Sequence, residues 1–266
     1  MDQTTAPPRS LIVTVYGLYA RDTGGWLSVS LLIRLLSEVG VDEPAVRSAI
    51  SRLKRRDLLT PERRGGVAGY ALSGEAREIL AEGDEHIFSP PRATVADGWL
   101  LAVFSVPESE RARRHTLRSR LAALGFGTTA PGVWVAPAHR YQLTRTVLHR
   151  LGLESYVDLF RADHLAFTNL PDAVNQWWDL KAIHRSYVDF MATWQEADTA
   201  REFATWVRAL TDWRRLPYLD PGLPAELLPA DWPGAPATAL FRALRDRLAG
   251  PAAAHVAAER RRLSVS

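Results

Sequence analysis

A glycine doublet, Gly65-Gly66, separates two short extended stretches, Leu58–Arg64 and Val67–Leu72, and an amphipathic helix pattern runs directly ahead of them. Two strands joined by such a doublet form a tight hairpin. The helix is equally constrained. At 100° per residue Val46, Ala49, Ile50 and Leu53 fall on one stripe, with Asp42 placed to cap the helix and Pro44 in its first turn. Arg47, Ser48, Ser51, Arg52 and Arg55 fall on the other side. Solvated helix faces alternate charge signs, and no carboxylate stands among these five. Arginine forks onto guanine O6 and N7 or onto phosphate, and serine reaches the same groups without blocking close approach.

Upstream, Ser10 is positioned to cap a helix through "LIVTVYGLYA", apolar nearly all round and therefore buried. A second helix, from about Ser28 to Val39, carries Leu32, Leu35, Leu36 and Val39 on one stripe and ends at Gly40. Ser73 caps a further helix after the hairpin. Helices, a two-stranded wing and a trailing helix predict a winged helix-turn-helix over residues 1–88. Arg63 and Arg64 at the wing would reach the sugar-phosphate backbone or a minor groove.

Charge supports this reading. The chain carries a net charge of +3, yet seven basic and only two acidic residues lie between Arg47 and Arg64. Positive charge gathered into one segment is the footprint of a nucleic-acid binder. There is no cysteine among the 266 residues, which excludes disulfides, thiolate metal sites and cysteine nucleophiles and suits the cytoplasm. The apolar stretch Leu11–Ala20 is too short to span a membrane.

Beyond the proline-marked linker Phe88–Thr94, "GWLLAVFSVP", "ESERARRHTLRSRLAALG", "FGTTAPGVWVAP", "HRYQLTRTVLHRLG" and "SYVDLFRAD" read as β-α-β-β-α-β. That order predicts a ferredoxin-like middle domain over 89–167, with Trp99, Leu101, Val103, Trp134 and Val157 on the buried sheet face. Residues 168–266 read as helical, with Trp178, Ile183, Tyr187, Phe190 and Trp194 on one side of a helix, and a last helix over Ala237–Leu248. The fold class is thus α+β, and the C-terminal region is assigned to dimerisation and effector response.

The segments "SLIVTVYGLYA", "AVRSAISRLKRRDLL" and "GYALSGEA", then "LRSRLAALGFGTTAPGVWVAP", and most specifically "DPGLPAELLPADWPG" after an aromatic-rich helical stretch, resemble the PaaX family of bacterial transcriptional repressors. The resemblance covers almost the whole chain. It implies a homodimer bound to a palindromic operator in double-stranded DNA. It further implies release by a small effector, which is phenylacetyl-CoA in the best-known members, regulators of phenylacetate catabolism. No short motif carries an effector site over. A pocket for an aromatic acyl-CoA would draw on Trp178, Tyr187 and Trp194, with Arg114 and Arg118 toward its phosphates, although helical spacing makes the aromatics core residues first.

Catalysis, metals and cofactors find no support. The seven histidines form no HExxH pair, and GxSxG and GxGxxG are absent. The middle domain is similar in topology to a CRISPR spacer-acquisition nuclease subunit, so metal-dependent nucleic-acid cleavage is the alternative. It would need oxygen ligands near the end of the first strand. There the chain reads Ser105-Val106, with Glu108 beyond and Asp97 before the strand as the nearest carboxylates.

Overall fold

The computed structural model describes residues 6–165 and 167–265. The chain divides into two compact units. One holds the chain up to Glu85 with Asp189–Arg214 and the chain from Ala235 onward; the other holds His86–Val188 and Arg215–Gly234.

The first unit opens with α1 (Pro8–Tyr19), β1 (Trp26–Ser28), α2 (Val29–Glu38) and α3 (Glu43–Lys54). The hairpin β2 (Leu59–Arg64) and β3 (Val67–Leu72) follows, then α4 (Gly74–Phe88). The sheet is antiparallel in the order β1-β3-β2. Ser28 accepts a hydrogen bond from the Leu31 amide and caps α2, while Asp42 does the same for Ala45 and α3. Gly40, at φ +80, supplies the left-handed residue between the two helices. Ser10 does not cap α1. The helix begins three residues earlier, at Pro8 after Pro7, because a proline near a helix start has no amide to satisfy.

Helix α1 is apolar on two sides because it is covered on two sides. Leu11, Ile12, Val15 and Ala20 are fully buried. Its inward Thr14 hydroxyl meets that of Thr211, at 2.8 Å, on α9 (Glu202–Trp213). The C-terminal helix α11 (Gly234–Val265) completes the unit. In it Phe241 stacks on Trp213 with ring centroids 4.5 Å apart. This helix runs well past the expected end at Leu248, through Pro251. A helical stretch rich in alanine and arginine follows the proline, and Ala252, Val256 and Glu259 continue the buried stripe.

The second unit contains β4 (Trp99–Phe104), α5 (Arg111–Ala123), β5 (Gly127–Ala130), β6 (Val133–Pro137), α6 (Tyr141–Arg150) and β7 (Val157–Ala162). The sheet order is β5-β6-β4-β7, the arrangement of a split βαββαβ unit. Leu100 and Ala102 of β4 join Trp134, Ala136, Leu117, Leu121 and Leu148 in the core, with Val157 and Leu159 packed against it. The predicted face is right for Trp134 and Val157 and off by one residue in β4. Val103 is 38% exposed. All six residues of β4 are apolar, so alternation could not say which set points inward, and a shift of one exchanges the faces. Trp99 is nevertheless buried on the opposite face, against Trp177 and Trp178.

Helices α7 (Leu170–Trp177), α8 (Leu180–Trp194) and the single-turn α10 (Leu216–Leu219) fill out the chain. Residues up to Val188 of α8 belong to the second unit and the rest to the first. Ile183, Tyr187, Phe190 and Trp194 of α8 are all buried, as the periodicity predicts; Trp178, expected on the same helix, is buried too but sits in extended backbone at the break between α7 and α8.

The core of the second unit also holds a guanidinium. Arg140 is only 2% exposed, and the segment Pro217–Pro221 supplies carbonyls to it. Arg140 donates to the carbonyls of Asp220 (2.5 Å), Pro221 (3.3 Å) and Pro217 (3.4 Å) and bonds to His86 Nε2. The Asp220 carboxylate accepts from Tyr187 (2.9 Å), Arg92 (3.2 Å) and the Gly222 amide (2.8 Å). Gly222 sits at φ +72, where a side chain would collide with the Pro91 carbonyl and crowd the His139 ring. Burial, reinforced by Arg140, pushes His86 down to about 3 and His139 to about 4. Both ring nitrogens of His139 are buried without a hydrogen-bond partner.

Each histidine is therefore neutral when folded and binds a proton on unfolding once the pH drops below its ordinary value. Its contribution is complete above about 6.5 and is lost as the pH falls toward the folded values. The slope is about 1.4 kcal/mol per pH unit for each histidine. Thermal melts from pH 7 to pH 4.5 should show this loss, and His86→Gln, which keeps an acceptor for Arg140, should reduce the slope by about one proton. An unchanged slope would remove His86 as a source.

Candidate nucleic-acid interface

Helix α3 buries Val46, Ala49, Ile50 and Leu53, and Arg47, Ser48, Ser51, Arg52 and Arg55 all lie exposed on its other side. The five are not equivalent. Arg47 is paired with Glu43, one turn earlier, at 2.6 Å, so a carboxylate does border the N-terminal end of this face. Among the described residues, the side chains of Ser48, Ser51, Arg52 and Arg55 have no hydrogen-bond or ion-pair partner.

The hairpin turns at Gly65 (φ +55) and Gly66 (φ +82). Two successive left-handed residues make the type I′ turn that matches strand twist. Arg63 is exposed and donates to the Gly66 carbonyl at 3.0 Å. Arg64 folds back: it donates to Glu62 (2.6 Å) and to the Thr23 carbonyl (2.6 Å), with its guanidinium 5.4 Å from the Trp26 ring centroid. Trp26 in turn donates to the Glu62 carbonyl at 3.1 Å. Arg64 and Trp26 thus brace the hairpin from beneath.

At the far end of α3 a cavity of about 360 Å³ is lined by Arg9, Arg52, Leu53, Arg55 and Arg56. Arg9 comes from the first turn of α1, and Arg56 follows the end of α3. Neither was singled out by periodicity. Arg56 lies beyond the helix, and no sequence spacing joins Arg9 to residues more than forty positions away. The arginine run itself was the visible signal.

The proposed effector residues fall into both units. In the second unit, Trp178 donates to the Gly125 carbonyl (2.9 Å), Tyr187 holds Asp220, and Arg114 is engaged by Glu108 and the Val106 carbonyl, both at 2.7 Å. Arg118 is exposed on α5. Trp194, in the first unit, donates to Asp212 at 3.2 Å. The carboxylates a nuclease would need are also occupied. Arg114 and Arg111 hold Glu108 and depress its pKa, and Asp97 accepts from the Thr94 amide at 2.7 Å. Among the described residues no group of three or more His, Cys, Asp or Glu could hold a metal ion. No helix there is long and apolar enough to cross a membrane.

The fold is that of an α+β protein with a ferredoxin-like central sheet and a helical C-terminal region. The chain belongs to the PaaX family: residues 7–76 match the PaaX-like protein model, 92–174 the PaaX central Cas2-like domain, and 178–258 the PaaX-like C-terminal domain. It is 29% identical over 264 residues to the transcriptional repressor PaaX of Escherichia coli (strain K12), covering 93% of this chain and 82% of that one. It also resembles the solved structure of the uncharacterized protein Rv0674 from Mycobacterium tuberculosis. There the TM-score is 0.54 at 26% identity, over 86% of this chain and 97% of that one.

Gly69 is the hairpin position with no room for a side chain. It pairs with Ser28 on one side and Glu62 on the other, and a Cβ there would lie 2.4 Å from the Trp26 ring. Gly69→Ala should cost roughly 1–3 kcal/mol, since the indole cannot move without breaking its bond to the Glu62 carbonyl. Denaturant titration measures the loss. Fluorescence of Trp26 is not isolated among nine tryptophans, so the hairpin itself is best followed by amide exchange.

Proposed function

We propose that the protein is a sequence-specific, DNA-binding transcriptional repressor whose N-terminal helices and hairpin act as a winged helix-turn-helix. The observation that carries the reading is the exposed face of Ser48, Ser51, Arg52 and Arg55, polar and without a carboxylate partner. Similarity to a transcriptional repressor over 93% of the chain supports it. In this reading α3 enters the major groove, Arg52 forks onto a base edge and the serines allow close approach. The hairpin lies along the backbone. Arg63 is free to reach a phosphate at little cost, whereas Arg64 and Arg47 do so only by leaving Glu62 and Glu43.

The protein acts as a homodimer in the cytoplasm. Two α3 helices about one helical turn of DNA apart, roughly 34–36 Å, require an inverted-repeat operator. Repression ends when a small acyl-CoA-type effector, phenylacetyl-CoA by family resemblance, favours a conformation that no longer fits this spacing. The chain has no catalytic role in this reading. The nuclease alternative draws no support from Glu108 or Asp97, each already satisfied by a local partner.

Anisotropy with the DNA upstream of the protein's own gene, against excess random duplex, tests the proposal. Arg52→Ala should cost about 1–3 kcal/mol on the specific sequence and relax preference at one position. Arg63→Ala should weaken all sequences alike, and by more than Arg64→Ala does. Titrated phenylacetyl-CoA should reverse the specific shift. Wild-type binding equal on specific and random DNA would overturn the reading; a specific shift indifferent to the thioester would discard only the effector.

A further inference from the structure

Several arginines of the first unit are held by carboxylates. Arg21 is held by Asp84, Arg34 by Glu259, Arg47 by Glu43 and Arg64 by Glu62. Arg9, Arg52, Arg55 and Arg56 have no such carboxylate, and they come together in one place. They line the same cavity of about 360 Å³, with Leu53 as its only other lining residue. Among the described residues none of the four has a hydrogen-bond or ion-pair partner, and all four are exposed.

Four like charges converging without a counter-charge repel one another. The end of α3 offsets part of this, because the carbonyl end of a helix favours cations. The same dipole disfavours an anion, so an anion held here is held by the guanidinium groups alone. A guanidinium presents a planar fork of donors that fits a phosphate edge. A tetrahedral phosphate has enough oxygens to take such forks from several directions, and here they come from α1, from the last turn of α3 and from the two residues after it. A planar carboxylate would leave most of them unmatched. The cavity also shares Arg52 and Arg55 with the face that reads DNA in the proposed function.

We infer that Arg9, Arg55 and Arg56, bordered by the base-reading Arg52, form a phosphate-binding pocket at the C-terminal end of α3 that takes a backbone phosphate of DNA. This rests on the DNA-binding reading above for its source of phosphate, though not for the pocket itself. Arg9 and Arg56 would then fix the register of the helix in the groove, while base preference stays with its central residues.

Arg9→Ala/Arg56→Ala in the full-length protein separates the pocket from base reading, since neither residue belongs to the base-reading face. Affinity for specific and random duplexes should fall by the same factor. The slope of log K against log salt should flatten by about 0.9 for the one phosphate lost. The thermal midpoint of the free protein should hold or rise, because a repulsion has been relieved; this keeps misfolding from passing for lost contact. Wild-type affinity and slope in a folded double variant would overturn the inference. Should the wild-type protein bind no DNA at all, the proposed function fails, and inorganic pyrophosphate followed by calorimetry becomes the decisive probe. Binding lost in the double variant would keep the phosphate pocket and assign it to a free phosphorylated molecule in place of DNA. No binding to wild type would overturn the pocket too.

Discussion

The first unit depends on α1 being covered on both sides. A helix with Leu11, Ile12, Val15 and Ala20 all withdrawn from water cannot lie on the edge of a small N-terminal domain. One side packs on α3, the other on α9, and between α1 and α9 the Thr14 and Thr211 hydroxyls satisfy each other in the dry seam. Arginines from the distal part of the chain then bind carbonyls at the ends of the N-terminal helices. Arg201 donates to the Glu38 carbonyl (3.1 Å), Arg208 to that of Val39 (2.9 Å) and Arg260 to that of Tyr19 (3.0 Å). A helix leaves its last carbonyls without intrahelical partners, and here cations from α9 and α11 supply them. His255 adds a hydrogen bond with Glu38 at 3.1 Å, and the buried Glu259 accepts from Arg34 at 3.2 Å. The C-terminal end of α2 is thus held partly by residues from 163 to 225 positions away.

The second unit is organised around a different constraint. Arg140 loses water's hydrogen bonds on burial, and only a surrounding shell of acceptors makes that tolerable. Three carbonyls of the 217–221 stretch provide it, which explains why a segment with so many prolines is ordered and buried. Prolines cannot donate, but their carbonyls accept freely, and their fixed φ holds those carbonyls in place. Asp220 anchors the segment from the other side through Tyr187, Arg92 and its own turn at Gly222. Burial and the adjacent Asp220 carboxylate both push the Tyr187 hydroxyl pKa upward, so it remains a donor. Two neutral histidines beside Arg140 then follow from electrostatics: a second and third positive charge in that space would have no partner.

Much of this was legible in the sequence because it was periodic. The α3 stripe, the glycine turn, the β-α-β-β-α-β order and the aromatic side of α8 each follow from spacings shorter than about two helical turns. Three features were not. In β4 every residue is apolar, so the pattern has no phase. Helix α11 passes through Gly250-Pro251, a pair that locally argues for a stop, because Ala252 and Val256 find a surface to bury against. The pairing of Arg47 and Arg64 was hidden for another reason: an arginine four residues from a glutamate, or two residues along a strand, is paired or free according to rotamers that no pattern encodes.

That last distinction bears on how a DNA-contacting surface can be recognised. Counting basic residues treats Arg47, Arg52, Arg63 and Arg64 alike, yet two of them already hold glutamates. A cation held at 2.6 Å by a neighbouring carboxylate has much of its field cancelled at a few ångströms' distance, and transfer to a phosphate exchanges one ion pair for another. An unpaired arginine gains the full contact. The residues that matter for affinity are then the ones the fold leaves without partners, and they need not be adjacent in sequence. Arg9 illustrates this: alone on α1 it is one charge in a nearly neutral stretch, and only the packing of α1 on α3 brings it beside Arg52, Arg55 and Arg56. The strength of the basic surface is therefore a consequence of the same two-sided burial of α1 that ties the C-terminal helices to the N-terminal ones.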